Sequence, residues 1–127
     1  MKTVLDASAM VAYFLDETGA DVVFSALPGA VISTVNIAEV AERLHRDFDA
    51  NTVKTVLVQG LPRSMVVDES LAIEAGLMCK AIRSTGLSLG DRLCLALARR
   101  LAVPVLTADR AWQDVAAAVG VEVRLIR

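Results

Sequence analysis

Short apolar runs of strand length alternate along this chain with longer stretches whose apolar residues recur at helical spacing. Lys2 to Leu5 is a β-type run that stops at Asp6, and Ser8 opens a short apolar helix through Leu15. The charged break Asp16-Glu17-Thr18-Gly19 closes it. Ala20 to Leu27 reads as a second helix ended by Pro28-Gly29, and Ala30 to Ser33 as a second strand. From Thr34 the period turns helical, with Ile37, Val40, Ala41, Leu44 and Phe48 on one face and the i,i+4 pairs Glu39–Arg43 and Glu42–Arg46 around the rest. Asn51 to Gln59 predicts a further helix, and Leu61 to Val67, with Pro62 near its start, a third strand. Asp68 then caps a helix to about Arg83 that offers Leu71, Ala75, Leu77, Met78 and Ile82 for packing. A helix from Ser88, the run Val103 to Leu106, a helix over Ala111–Val119 stopped by Gly120, and an alternating edge strand Val121–Leu125 complete the chain. Strands separated throughout by helices predict an α/β fold of three layers, α/β/α. Its mostly parallel central sheet has four to five strands, covered on both faces and joined by right-handed crossovers.

In such a sheet, ligands bind outside the carboxyl ends of the strands, which turns attention to the acids there. The stretch from Gly86 to Asp109 brackets one helix–strand unit between two carboxylates, Asp91 and Asp109. Cys94, Leu95 and Ala98 continue the line of Asp91 at i+3, i+4 and i+7, so this acid heads an apolar stripe. Each acid also has a purely structural explanation. Asp91 stands three residues after Ser88, the spacing of a capping box; Asp109 and Asp6 are each placed to cap the helix that follows. Glu39 pairs on paper with Arg43, and helical phase alone does not separate it from Glu42. Taken together, Asp6 and Asp109 end strands at one sheet edge and Asp91 opens a helix delivered there, while Glu39 lies in the helix after strand two. Converging carboxylates without Lys or His partners raise one another's pKa, and a divalent cation relieves them; all-oxygen ligands select Mg²⁺ or Mn²⁺. Such ions suit phosphodiester hydrolysis.

Composition narrows the chemistry. The 127 residues are enough for one domain, spanning 1–127, and 55% hydrophobic against 22% charged residues supply a core. The longest uncharged segment, Val22 to Ala38, is interrupted by Pro28-Gly29, Ser33, Thr34 and Asn36, and Asp6 follows Lys2 too closely for a signal peptide, so no membrane segment and a cytoplasmic location are expected. His45 is the single histidine, which leaves acids to carry any metal. Cys79 and Cys94, without a CxxC, read as buried reduced thiols. A formal net charge of -2 argues against a protein that coats nucleic acid, though not against a cleft that handles it locally.

The pieces VLDASAMVAYFL, STVNIAEVAERL and LSLGDRLCLALARRLAVPVLTAD, with the AW after the last, resemble in order and spacing the PIN-domain ribonucleases of the VapC kind, the toxin half of type II toxin–antitoxin pairs. That resemblance implies a PIN-like fold and makes Asp6, Glu39, Asp91 and Asp109 an acidic quartet that binds Mg²⁺ or Mn²⁺ and activates water for in-line attack on RNA, leaving a 5′-phosphate and a 3′-hydroxyl. It also favours Glu39 over Glu42. Ser8 and Thr107 fall at the small hydroxyl positions beside the first and last acids, where a helix start and a turn explain them equally well. Asp114, five residues past Asp109, is a candidate auxiliary acid that reads more simply as solvated, and Arg92 and Arg110, next to two of the acids, are weak candidates for holding phosphate. The resemblance further implies a homodimer, a VapB-like antitoxin whose C-terminal segment covers the site, and an RNA substrate, in several family members a transfer RNA.

Two other functions compete with this one. An aspartyl-phosphate phosphatase or dehalogenase also places an Asp after strand one, but Ser8 stands where its second Asp belongs, and Lys2, Lys54 and Lys80 lie away from the active edge. A catalytically silent PIN-fold interaction module would have little reason to keep four unpaired carboxylates at one edge.

Overall fold

The computed structural model describes residues 1–82 and 86–127. Five strands form one sheet in the order β3-β2-β1-β4-β5, and every neighbouring pair is parallel. The strands are β1 (Thr3–Leu5), β2 (Ala30–Ser33), β3 (Arg63–Met65), β4 (Val105–Thr107) and β5 (Val123–Leu125). The chain adds β2 and β3 on one side of β1, then crosses to add β4 and β5 on the other. The direction of winding thus reverses between β1 and β4, where a crevice opens at the carboxyl edge of an α/β sheet.

Alternation along each strand divides the core in two. Val4, Val31 and Val105 pack against Leu71 and Ala75 of α5 (Glu69–Leu77), Ile82 of α6 (Cys79–Ile82), the Leu93–Ala98 run of α7 (Leu89–Leu101) and Val119 of α8 (Ala116–Val119). Their neighbours Leu5, Ile32 and Leu106 join Ala9, Met10 and Ala12 of α1 (Ala7–Phe14), Val23 of α2 (Ala20–Ala26), Val40 and Leu44 of α3 (Thr34–His45), and Val53 and Leu57 of α4 (Ala50–Gly60). The three layers follow from a strand period of two, which sends successive side chains to opposite faces. Helices that cross back antiparallel to the strands start at the carboxyl edge, so α1, α3 and α7 all begin there. Their caps, Asp6, Ser33 and Ser88, each accept a backbone N–H of the first turn.

Several boundaries differ from the sequence expectation. Only Arg63–Met65 of the Leu61–Val67 run pairs, because this edge strand has β2 alone as a partner and Pro62 supplies no N–H. The helix expected to reach Arg83 breaks at Met78 into α5 and α6, and its last residue lies outside the described residues. Ala111–Val119 divides into a 3₁₀ turn over Arg110–Asp114 and the short α8, which Gly120 ends at φ 70° as expected. Leu77 is 74% exposed and Phe48 44% exposed, so neither joins the core proposed for it. Cys94 is buried but Cys79 is exposed, against the expectation of two buried thiols. Trp112 of the AW pair is wholly buried in the α5–α7 layer, and its indole Nε1 has no hydrogen-bond partner. Its burial is a packing role. Among the described residues no helix is long and apolar enough to cross a membrane.

Candidate active site

Asp6 leaves β1 at the winding reversal and is 3% exposed. As the cap of α1 it accepts the Ala9 N–H at Oδ1 (2.8 Å), which accounts for the residue locally. Two hydroxyls add a second tier. Ser8 Oγ donates across Oδ1 and Oδ2 (2.8 and 2.9 Å), and Thr107 Oγ1, at the end of β4, donates to Oδ2 at 2.6 Å. Both hydroxyls point their hydrogens at Asp6, so each acts as an acceptor toward the β4 exit: Ala108 N–H donates to Ser8 and Asp109 N–H to Thr107. Ser8 and Thr107 thus orient the first carboxylate and tie it to the backbone that carries Asp109.

Glu39 enters from α3. Its side chain is half-buried, whereas Glu42 is exposed, so burial separates two residues that helical phase did not. Asn36, one turn earlier and 1% exposed, donates through Nδ2 to Glu39 Oε1 at 2.6 Å and to the Gly90 carbonyl at 3.2 Å. Its Oδ1 accepts from Ser33 Oγ, the cap of α3. The amide therefore clamps Glu39 to the first turn of α7. Gly90 allows this closeness: a Cβ there would lie 2.5 Å from Glu39 Oε1 and 2.7 Å from Cδ and Oε2. Sequence reasoning assigns no role to Asn36 or Gly90. A glycine inside a helix and a polar residue three positions before an acid are the only signals available.

Asp91 follows Gly90 and forms the expected capping box, accepting Ser88 N–H at 3.0 Å while its own N–H donates to Ser88 Oγ at 3.2 Å. The cap and the acid cluster are compatible, since the negative charge of Asp91 bears on both Asp6 and Glu39. Burial and, last, repulsion from Asp91 outweigh the hydrogen bonds from Thr107, Ala9 and Ser8 and push Asp6 from the ordinary 3.8 to about 6. Burial likewise raises Glu39 against the Asn36 bond, with Asp91 and Glu42 adding repulsion. Beneath them the Cys94 thiol is held well up by burial and by the charges of Asp6, Asp91 and Glu39.

Asp109 is exposed and caps the 3₁₀ turn by accepting the Ala111 N–H at 3.0 Å. It joins the others through Thr107 rather than through a direct contact. Asp114 and Arg110 are exposed, and Arg92 Nε reaches only the Ser88 carbonyl at 3.5 Å. The Glu39–Arg43 pair expected from spacing is replaced: Glu39 turns to Asn36, and Arg43 pairs with Asp47 at 3.3 Å. No ion pair among the described residues involves Asp6, Glu39, Asp91 or Asp109.

With this geometry in view, comparison with known proteins places the chain. The family model described as the PIN domain matches residues 3–118. The chain belongs to the PIN-domain family. No curated protein matches it. Among solved structures, this PIN domain is similar to a chain of DNA-bound VapBC from Salmonella typhimurium, with a TM-score of 0.79 at 14% identity over 100% of this chain and 99% of that one. It is also similar to FitAcB from Neisseria gonorrhoeae, with a TM-score of 0.72 at 18% identity and 95% of each chain covered. A toxin–antitoxin complex from Klebsiella pneumoniae gives 0.67 at 16% identity over 85% and 87%. At these identities the likeness is one of fold.

The donor set of the PIN site is compatible with a hard divalent cation. It offers carboxylate oxygens at mutual repulsion, with no side-chain cation among the described residues paired to them, facing the positive ends of α1, α3 and α7. Among the described residues no group of three or more Asp, Glu, His or Cys side chains stands close enough together to hold a metal ion as the chain is arranged here.

Proposed function

We propose that this PIN domain is a divalent-metal-dependent endoribonuclease of the VapC kind, a toxin restrained by a small antitoxin. PIN domains as a class are nucleases, and the likeness to chains from toxin–antitoxin complexes supports the biological setting. The observation that carries the chemistry is the group Asp6, Glu39 and Asp91 at the winding reversal, each bearing on another's charge and none paired to a cation among the described residues, with Asp109 alongside through Thr107. Burying carboxylates together is costly, and the structure devotes Ser8, Thr107, Asn36 and Gly90 to holding them in place.

In this reading Asp6, Glu39, Asp91 and Asp109 would hold Mg²⁺ or Mn²⁺. A divalent cation at such carboxylates supplies Lewis acidity toward a phosphodiester and lowers the pKa of water. The chain's own residues fix the arrangement: Thr107 and Ser8 keep the Asp6 oxygens oriented, and Asn36 keeps Glu39 against α7. Glu39, raised by its burial and half-exposed to solvent, is suited to taking a proton from an attacking water. The antitoxin, the homodimer and the RNA substrate, including transfer RNA, belong to the same proposal.

The test is incubation of partner-free protein with a total cellular RNA pool in Mg²⁺, Mn²⁺ or EDTA, beside Asp6→Asn, with the cut ends mapped. Discrete metal-dependent cuts bearing 5′-phosphates and absent from the variant are expected. Folded protein that cuts nothing in any metal would turn the reading toward an interaction module, as would the lack of any Mn²⁺-induced rise in melting temperature.

A further inference from the structure

A cavity of about 300 Å³ is lined by Ser8 and Glu39 of the acid site together with Arg43, Arg127, Glu17 and Val11. Arg43 lies one turn beyond Glu39 on α3, so the two share a face. Arg127, after β5, is brought there by the turn following α1, where its Nη1 donates to the Thr18 carbonyl (3.0 Å) and approaches Glu17 Oε1 (3.5 Å). Neither contact is visible in the spacing of the sequence.

The two guanidiniums have the properties of an anion subsite. Their side chains are 36% and 37% exposed, and their acidic partners, Asp47 and Glu17, are also open to water at 64% and 39%. Exposed pairs of this kind contribute roughly 0–1 kcal/mol, so a stronger acceptor displaces them at small cost. Each pair runs through Nη1, and the guanidinium fork carries further N–H donors matched to a phosphate. The need for such a subsite is electrostatic. With a net charge of -2 and four acids at the reaction centre, this chain repels a polyanion unless local cations draw the strand in.

We propose that Arg43 and Arg127 form a binding subsite for a backbone phosphate of single-stranded RNA, next to the phosphodiester that is cut. The inference rests on the ribonuclease reading and adds to it the residues that hold the strand. It replaces Arg92 and Arg110, the cations adjacent to the acids in sequence, with two that the fold carries to the acids from elsewhere.

Fluorescence anisotropy of a labelled single-stranded RNA oligonucleotide of mixed sequence tests this, using the Asp91→Asn chain in Mg²⁺ so that the probe survives. Adding Arg43→Ala or Arg127→Ala is expected to weaken binding about five- to tenfold. The slope of log affinity against log salt should fall by about 0.7, because one fewer phosphate is neutralised. Arg43→Lys should keep the slope while binding more weakly than the arginine, which excludes misfolding as the cause. Arg124→Ala, an exposed arginine paired to Glu122 and not lining the cavity, should change nothing. Unchanged affinity and salt slope in both alanine variants would overturn the subsite. Arginine-dependent binding of a polyglutamate peptide, with none of RNA, would also overturn it, in favour of an acidic protein partner. Cleavage by the wild-type chain is scored separately: cutting with arginine-independent binding removes the subsite alone, whereas arginine-dependent binding without cutting removes the nuclease and leaves a strand-binding cleft.

Discussion

Asp6 stores free energy against folding, and the amount depends on pH. In the unfolded chain this carboxyl ionises near the ordinary 3.8; in the folded one it holds its proton to about 6. The folded state therefore binds more protons between these values, and stability must fall as pH rises through them. At roughly 1.4 kcal/mol per pH unit the difference is on the order of 3 kcal/mol, fully lost by about pH 7. Asp6→Asn removes this titration while keeping an oxygen for the Ala9 N–H. Its amide nitrogen then faces Thr107 Oγ1, whose hydrogen must turn toward Ser8 Oγ, 3.2 Å away. That rearrangement costs the same at every pH, so the slope isolates the charge. Asp49 and Asp68, held below the usual carboxylate range by backbone hydrogen bonds from Thr52 and Leu71, lose their contribution only as pH falls further, below the window, and are common to both proteins. Urea unfolding in EDTA from about pH 4 to pH 7.5 should show Asp6→Asn gaining on the wild type by roughly 2 to 2.5 kcal/mol across the interval, the remainder having been lost below about pH 4. Mg²⁺ added at the upper end should restore part of the wild-type stability and leave the variant unmoved. A stability difference that is flat with pH, or that runs the other way, would refute the account of Asp6 as a buried, repelled carboxylate.

Other perturbations separate stability from function. Gly90→Ala puts a methyl 2.5 Å from Glu39 Oε1; the flexible end of Glu39 gives way, so the melting temperature should move little, helped by a helix-propensity gain of about 1 kcal/mol, while cleavage falls at least about tenfold as Glu39 leaves Asn36. Thr107→Val keeps shape but deletes the 2.6 Å donor to Asp6 and the acceptor of the Asp109 N–H; it should destabilise by about 1–3 kcal/mol and move the Asp6 carboxyl titration further upward, read by carbon-13 NMR. Thiol labelling of the native protein should modify Cys79 promptly and spare Cys94, which reacts only on unfolding; prompt labelling of both would contradict the packing beneath the acids.

What the sequence by itself determined is what local chemistry determines. The periods of two and 3.6 place β1, β2, β4 and the helices between them, because side-chain direction repeats along an element whatever surrounds it. The caps Asp6, Asp68 and Asp109 and the Ser88–Asp91 box were legible for the same reason, since each bond spans two or three residues. Their structural explanations were correct, and Asp6, the cap of α1, and Asp91, the box partner of the α7 cap Ser88, are also two of the proposed site acids: a parallel sheet brings the starts of its crossover helices to one edge, so first-turn residues meet there. Phase alone left Glu39 and Glu42 tied; the resemblance favoured Glu39, and burial separates the two. Only the tertiary structure decided the rest. Asn36 meets Gly90, and Arg43 shares a cavity with Arg127, across spans of chain whose packing no local pattern encodes. Cys79, Leu77 and Phe48 looked like core by helical spacing and are exposed: the partner layers choose which stripe of each element is buried, and α3 ends at His45, before the helical phase reaches Phe48. Periodicity fixes which residues share a face, while the distances between faces, on which carboxylate repulsion and phosphate binding depend, exist only once the layers have packed.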